Sequence, residues 1–460
     1  MRTPLAHSAR KNYPPQTYEA HVRGVCERAG KYAAEAECYS VKANGILSAI
    51  VRDSALLHDL GKLEERNQSV LREQSRRRRH LPVDHTDAGS AALQKMGSGC
   101  AAMLVYSHHQ GLPDLSTEFA ARGCSIFRNG NAAVRAETDA ALPALLRQHE
   151  ALFPRKPNKE VQAYDGDPAV FLRMALSCLA DADHGDTAAA FGQTEKAMPE
   201  LRPQERLAAL DHYVSKFGET DERSSLRREL YQSCRSVEAH SGFSVCGSPV
   251  GSGKTTAVMA HLLEQACKRN ARRIFVVLPY TSIIRQSVDI YRKALVLPGE
   301  TPEDVVAELH SRADFEDIET RYLTALWRAP IVVTTAVAFF ETLSSHNPAA
   351  LRRLHELPGS LIFVDEAHSA LPLGLLPLAW HWMNVLSDEW SCYWVLASGS
   401  LVRYWELQPL SGLSMPRPEI AELVRPDLQR ELSRYESNRI TFRWREKPIG
   451  RKELAEWVQE

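Results

Sequence analysis

Residues 55–63 read ALLHDLGKL, which sets His58 and Asp59 side by side in an apolar run with Lys62 one turn later. Imidazole and carboxylate together suit borderline divalent metals, so the pair outlines a hydrolytic site. A structural role would need only an Asp59–Lys62 ion pair at i,i+3 and a carbonyl for the histidine. Further donors are spread along the chain: His21 in YEAHVRGV, His85 in VDHTDAGS, His108 and His109 in YSHHQGLPD, and Asp181 and Asp183 in LADAD. Alone, each is an ordinary surface or core residue. Helices that brought several of them together would make one metal site.

A second chemistry lies downstream. SPVGSGKTT (248–256) follows the candidate strand Phe243–Cys246 and opens a helix, the context a phosphate-binding loop requires. Gly251 and Gly253 let the backbone curl around phosphate oxygens, with Ser252 between them. Lys254 would meet the β- and γ-phosphates of ATP, and Thr255, followed by Thr256, would supply a hydroxyl to Mg²⁺. Ser248 stands where the first glycine of G-x-x-x-x-G-K-[ST] is usual. LIFVDEAH supplies the acidic partner: Asp365 would hold the magnesium through water and Glu366 would polarise the attacking water. His368 is placed to couple the nucleotide to the rest of the lobe.

These side chains need two kinds of scaffold. Up to about residue 210, Ala/Leu-rich segments carry apolar residues at helical spacing and almost none alternate like strands, so this half reads as all-α. After SSLRRELYQSCRS, short β-rich runs (GFSVCGSPVGSGKTT, RRIFVVLPYTS, APIVVTTAV, SLIFVDEAH, CYWVLASGS) alternate with helical segments. That pattern predicts a parallel sheet with ligands at the strand C-terminal ends. The expected fold is therefore multidomain, an all-α helical bundle followed by an α/β parallel-sheet P-loop domain. Its parts are residues 1–210, a linker at 211–223, the sheet lobe at 224–435 and the start of a second lobe at 436–460.

Bulk composition excludes little. With 56 Lys+Arg against 57 Asp+Glu, nucleic-acid binding must come from local patches. The run Arg76–Arg79 is either a solvated loop or such a patch. The 9 cysteines contain no C-x-x-C pair, which fits a reducing, cytoplasmic setting. No apolar leader opens the sequence, and the apolar stretch at 371–386 is interrupted by Pro, His and Asn, so neither a signal peptide nor a membrane span is expected.

The P-loop, the DEAH box, LPYTSIIRQS after one strand and VVTTAVAFFETL after another resemble the ordered motifs of superfamily 2 helicases. The resemblance implies a RecA-like lobe in which Thr281, Thr334 and Thr335 contact phosphates of a single strand. ASGS (397–400) stands where that family has Ser-Ala-Thr, with Gly399 and Ser400 departing from the pattern. Adding the His58–Asp59 dyad, HHQGLPD, SCLADAD and the order of the halves, essentially the whole chain resembles the HD nuclease domain fused to a superfamily 2 helicase in type I CRISPR systems.

That resemblance implies that His58, Asp59 and Asp183 bind one ion with His21, while His85, His108 and His109 bind a second. The ions would be Mn, Co, Ni or Fe. Asp183 is chosen over Asp181 because it matches the family's aspartate at the end of that helix. Lys62 would contact the scissile phosphate or steady Asp59. The implied partners are single-stranded DNA and the RNA-guided, Cascade-like complex that displaces it; the rest of the second helicase lobe belongs either to a longer chain of which this is a piece or to a separately encoded one. No Q-x-x-G-R-x-x-R segment follows His368. An arginine finger is worth roughly 10³–10⁵ in rate, so the chain by itself is expected to be a weak motor. Two rivals remain: an HD phosphohydrolase of small nucleotides, and a non-catalytic, ATP-gated nucleic-acid-binding subunit.

Overall fold

The computed structural model describes residues 2–10, 12–73, 80–154, 163–193, 196–309, 327–406 and 420–439, with isolated positions between 448 and 457. Arg76–Arg79 lie outside the described residues, as does most of the expected second-lobe start at 436–460.

The Ala/Leu-rich segments of the first half form α1 (Tyr18–Glu37), α2 (Ile46–Leu57), α3 (Glu65–Arg72), α4 (His85–Lys95), α5 (Gly99–Gln110), α6 (Leu115–Arg122), α7 (Ala132–Leu152) and α8 (Pro168–Ala190). Polar caps start several of them: Thr17 accepts from Ala20 N, Asp84 from Thr86 N, and Asp167 from Val170 N with Pro168 in the first turn. α1 packs between α2 and α8, and α4 lies on α5. The half is not wholly helical. β1 (Leu5–His7) pairs antiparallel with β2 (Gln16–Thr17), and strands this short show no alternation in a sequence.

The second half runs α9 (Pro203–Ser215), α10 (Glu222–Ser236), β3 (Phe243–Gly247), α11 (Lys254–Arg269), β4 (Ile274–Leu278), α12 (Thr281–Leu295), α13 (Pro302–Val305) and β5 (Val306–Leu309). It continues with β6 (Ile331–Thr335), α14 (Ala336–Ser344), α15 (Pro348–Leu351), β7 (Leu361–Asp365), α16 (Leu376–Trp390), β8 (Tyr393–Ser398), β9 (Ile420–Glu422) and α17 (Pro426–Asn438). The strands make one parallel sheet in the order β5-β6-β4-β7-β8-β3-β9. The five expected strands are its inner members. The edge strands β5 and β9 escaped notice because each carries a glutamate (Glu308, Glu422) in place of a continuous apolar run.

Strand side chains alternate between faces, and this joins the two halves. Val245, Phe275, Val277, Ile362 and Trp394 continue the core of the helical bundle, whereas Cys246, Val276, Phe363 and Val395 pack under α9 to α12. Leu207 and Leu210 of α9 belong to that second core. The expected boundary at 210 and linker at 211–223 therefore fall within α9 and the turn into α10, on the sheet's own helical layer.

Where α8 meets the sheet lobe, buried charges are paired. Asp181 accepts from Arg328 Nη2 at 2.6 Å and from Arg352 Nε and Nη2 at 3.0 and 2.8 Å. Glu356 accepts from Arg328 Nε at 3.2 Å and Arg272 Nη2 at 3.1 Å, and Arg273 Nη2 lies 2.7 Å away. Burial alone would raise the Glu356 carboxyl, but Arg273, His355 and Arg272 outweigh it and hold it well below its ordinary value. A depressed carboxylate stabilises the fold fully above its unfolded pKa of about 4.3 and ceases to do so as pH falls through its folded value. The urea midpoint of the parent chain should accordingly fall below about pH 4. In Glu356→Gln that acid dependence should be shallower, with stability already reduced at neutral pH.

Candidate metal centre and nucleotide loop

Five elements bring the donors together. α2 ends at Leu57, so His58 caps it and Asp59 starts a 3-10 turn over Leu60–Leu63. The two are thus not successive residues of one helix. Close approach dictates the bend: a Cβ on Gly61 would lie 2.6 Å from His85 O, and one on Gly89 would lie 2.0 Å from Leu57 O. These two glycines let α4 press against the end of α2 and carry His85 beside Asp59. His21 comes from the first turns of α1, His108 and His109 from the last turn of α5, and Asp183 from α8.

Asp59 is the centre of the cluster and is 1% exposed. Its Oδ2 lies 3.1 Å from His21 Nε2, 3.4 Å from His58 Nε2 and 2.6 Å from Lys62 Nζ, while its Oδ1 lies 3.6 Å from His85 Nε2. Asp183 Oδ1 is 3.3 Å from His21 Nε2 and 3.9 Å from His58 Nε2, and the two Nε2 atoms are 3.3 Å apart. The rings of His85, His108 and His109 meet edge-on or tilted, with His109 exposed. Among the described residues two donor sets share Asp59, one of His21, His58 and Asp59 and one of Asp59, His85, His108 and His109.

The donor chemistry fits divalent ions. His58 Nδ1 lies 2.8 Å from Ala55 O and His108 Nδ1 lies 2.6 Å from Val105 O, contacts that fix the proton on Nδ1 and leave the Nε2 lone pair facing the cluster. The buried Nε2 atoms of His85 and His108 have no hydrogen-bond partner, and such atoms need one. Adjacent ligand atoms around an ion with bonds near 2.1 Å lie roughly 3.0–3.4 Å apart, the spacing seen around His21, His58 and Asp59. Burial keeps His108 neutral and lowers His85 to about 4. Asp59 and Asp183 resist burial and stay well below the usual carboxylate range, Asp59 chiefly through Lys62 and Asp183 through His21. Burial also opposes charge on His21, yet Asp183, Asp186 and Asp59 push it up to about 10. Ion uptake would have to displace that proton.

Lys62 contacts Asp59, the second of its two expected roles. Asp181 is claimed by Arg328 and Arg352, and Asp183 alone of that pair faces the histidines. Sequence reasoning missed Asp186, whose Oδ2 lies 2.7 Å from His21 Nδ1 and orients that ring. It stands one helical turn after Asp183, a spacing that could have revealed it. Gly24 makes room for it: a Cβ there would sit 1.9 Å from Asp186 Oδ1. His7 of β1 also joins a donor set, with His21 and Asp183.

At the other site, Gly251 and Gly253 adopt φ of 86° and 89°, and Lys254 starts α11 with Thr255 and Thr256 in its first turn. Lys254 Nζ lies 2.9 Å from Asp365 Oδ1 and 3.4 Å from Glu366 Oε1. Burial works against the ammonium, but Asp365 raises it further, and Lys254 in turn lowers Glu366 against that residue's own burial. Glu366 stands at φ 49°, a left-handed turn that aims it back toward the loop. Ser398 Oγ donates to Glu366 Oε2 at 2.9 Å and lies 2.8 Å from His368 Nδ1, so the ASGS segment touches the DEAH box directly. Arg227 of α10, which the sequence did not single out, donates through Nη2 to Gly251 O at 2.6 Å.

The three threonines divide. Thr281 is exposed at the start of α12, at the C-terminal edge of the sheet. Thr335 caps α14, accepting from Ala338 N at 3.1 Å. Thr334 is 1% exposed, paired on both flanks by β4 and β5, and its side chain is not presented to a ligand. Strand alternation puts it on the face of Val332, toward the core that the sheet shares with the helical bundle.

Comparisons with known proteins agree with this architecture. Residues 231–382 match the DEAD/DEAH box helicase family, a stretch that holds the P-loop and the DEAH box. No curated protein sequence matches the chain. Among solved structures, T. fusca Cas3 with AMPPNP has a TM-score of 0.53 at 17% identity over 87% of this chain and 51% of its own length. A second structure of T. fusca Cas3 has a TM-score of 0.54 at 17% identity, over 86% of this chain and 51% of its own length. The chain thus spans about half the length of those proteins. Over most of its length it is similar in fold to Cas3, and it contains a DEAD/DEAH box helicase segment.

Proposed function

We propose that the helical half is a divalent-metal-dependent nuclease for single-stranded DNA and that the sheet half is the first motor lobe of an ATP-driven, CRISPR-associated helicase. The observation that carries this reading is the buried Asp59 shared by two histidine-rich donor sets. Ions bound there, of Mn, Co, Ni or Fe, would lower the pKa of a water and neutralise charge on a phosphodiester. The chain's own residues do the rest. Lys62 holds Asp59 in one orientation, Asp186 fixes the His21 ring, and exposed His109 opens the cluster to a strand at the surface. At the P-loop, Lys254, Thr255, Asp365 and Glu366 would receive ATP and Mg²⁺. The RNA-guided surveillance complex that would deliver the strand belongs to the same proposal.

Incubating the chain with circular single-stranded DNA and Mn²⁺, Co²⁺ or Ni²⁺, beside His58→Ala, tests it. Cutting by the parent and not by the variant supports the nuclease. Turnover of free nucleotides with intact DNA would instead identify a small-molecule phosphohydrolase, and salt-dependent DNA binding without any turnover would leave a binding subunit.

A further inference from the structure

β1 lies over the metal cluster and is pinned there from both sides. Gln68 of α3 accepts from Leu5 N at 2.9 Å, and its amide donates to Leu5 O and Lys62 O, each at 2.7 Å. Ser8 donates to Leu71 O at 2.9 Å. The paired strand β2 reaches the same place from the opposite edge, where Gln16 Nε2 donates to Asp186 Oδ2 at 2.7 Å. The hairpin is thereby tied to the turn that carries Lys62 and to the carboxylate that orients His21.

Between these ties the strand presents His7. Its ring meets His21 edge-on, with centroids 4.7 Å apart. One of its nitrogens, a nitrogen of His21 and a carboxylate oxygen of Asp183 all lie within 4.8 Å of one another. Nε2 lies 3.2 Å from Thr187 Oγ1, which orients the ring from α8. A neutral imidazole has one donor and one acceptor nitrogen, and the Thr187 contact accounts for only one of them.

We propose that His7 is a further ligand to the ion held by His21, His58, Asp59 and Asp183, delivered by the β1–β2 hairpin. The inference rests on the metal-site reading above and adds to it. With His7 in place, fewer positions of that ion remain open to water and substrate, and ion binding and hairpin docking stabilise each other. Loss of the imidazole should weaken that ion while leaving the set around His85 and His108 intact.

The test is titration of the full chain with Mn²⁺, followed by calorimetry, together with hydrogen exchange of residues 4–8 with and without the ion. His7→Ala should weaken one of the two sites by about 10-fold or more, a size typical of losing a partner in the shell around an ion. In the parent the ion should slow exchange in β1; in His7→Ala it should not. Should His7→Ala fail to fold, Gln68→Ala, which unpins β1 and keeps every imidazole, should weaken the same site. Equal affinities in the parent and in the variant that folds, with exchange in β1 indifferent to the ion, would overturn the role of His7 alone. A parent that takes up no Mn²⁺ at all would overturn the metal-site reading with it.

Discussion

Replacing Asp59 with asparagine should lower metal-dependent DNA cleavage by more than about 100-fold, above the loss usual for an outer partner of a metal ligand. The two side chains have nearly the same shape, so the change removes charge and one ligating oxygen without opening space. Asp59 Oδ2 faces His21 and His58 while Oδ1 faces His85, so one substitution weakens both donor sets. It also takes the counter-charge from Lys62 and part of it from His21, leaving a cationic cluster that repels a second ion. Single-turnover cleavage of a labelled strand, with ion uptake measured on the same preparation, is the check. A variant cutting within about threefold of the parent would detach Asp59 from the chemistry.

Asp181→Ala should have the largest effect on stability, about 3–5 kcal/mol, because it leaves two largely buried guanidinium groups without their shared carboxylate. The loss should appear as a lower urea midpoint at unchanged slope. It should spread across both halves, since the bundle and one face of the sheet share a continuous core. Asp183→Asn, two residues away, should behave in the opposite sense. Ion uptake should fall sharply, while the ion-free midpoint moves far less, since His21 keeps Asp59 and Asp186 as partners. A common phenotype for the two variants would contradict the division of labour along α8.

This division shows where a sequence speaks and where it falls silent. The P-loop and DEAH box could be read because their chemistry demands glycine, lysine and carboxylate at short spacing next to apolar strands. The inner strands could be read for a similar reason, as each is an unbroken apolar run. The scattered histidines could be suspected of converging, but spacing along a chain does not tell which aspartate of LADAD turns inward. That depends on Arg328 and Arg352, residues more than a hundred positions away that claim Asp181.

His7 went unnoticed because a three-residue strand leaves no periodic trace, and only Gln68 and Thr187 show what it faces. The resemblance named Thr334 without regard to its burial, which comes from pairing with β4 and β5 on both flanks.

The central claim is that these buried imidazoles and carboxylates form an ion-binding centre. Anomalous diffraction from crystals soaked in MnCl₂ tests it most directly. The account predicts peaks enclosed by His21, His58, Asp59 and Asp183 and by Asp59, His85, His108 and His109, both lost in Asp59→Ala. Well-ordered crystals with no anomalous density within bonding distance of Asp59 would contradict it.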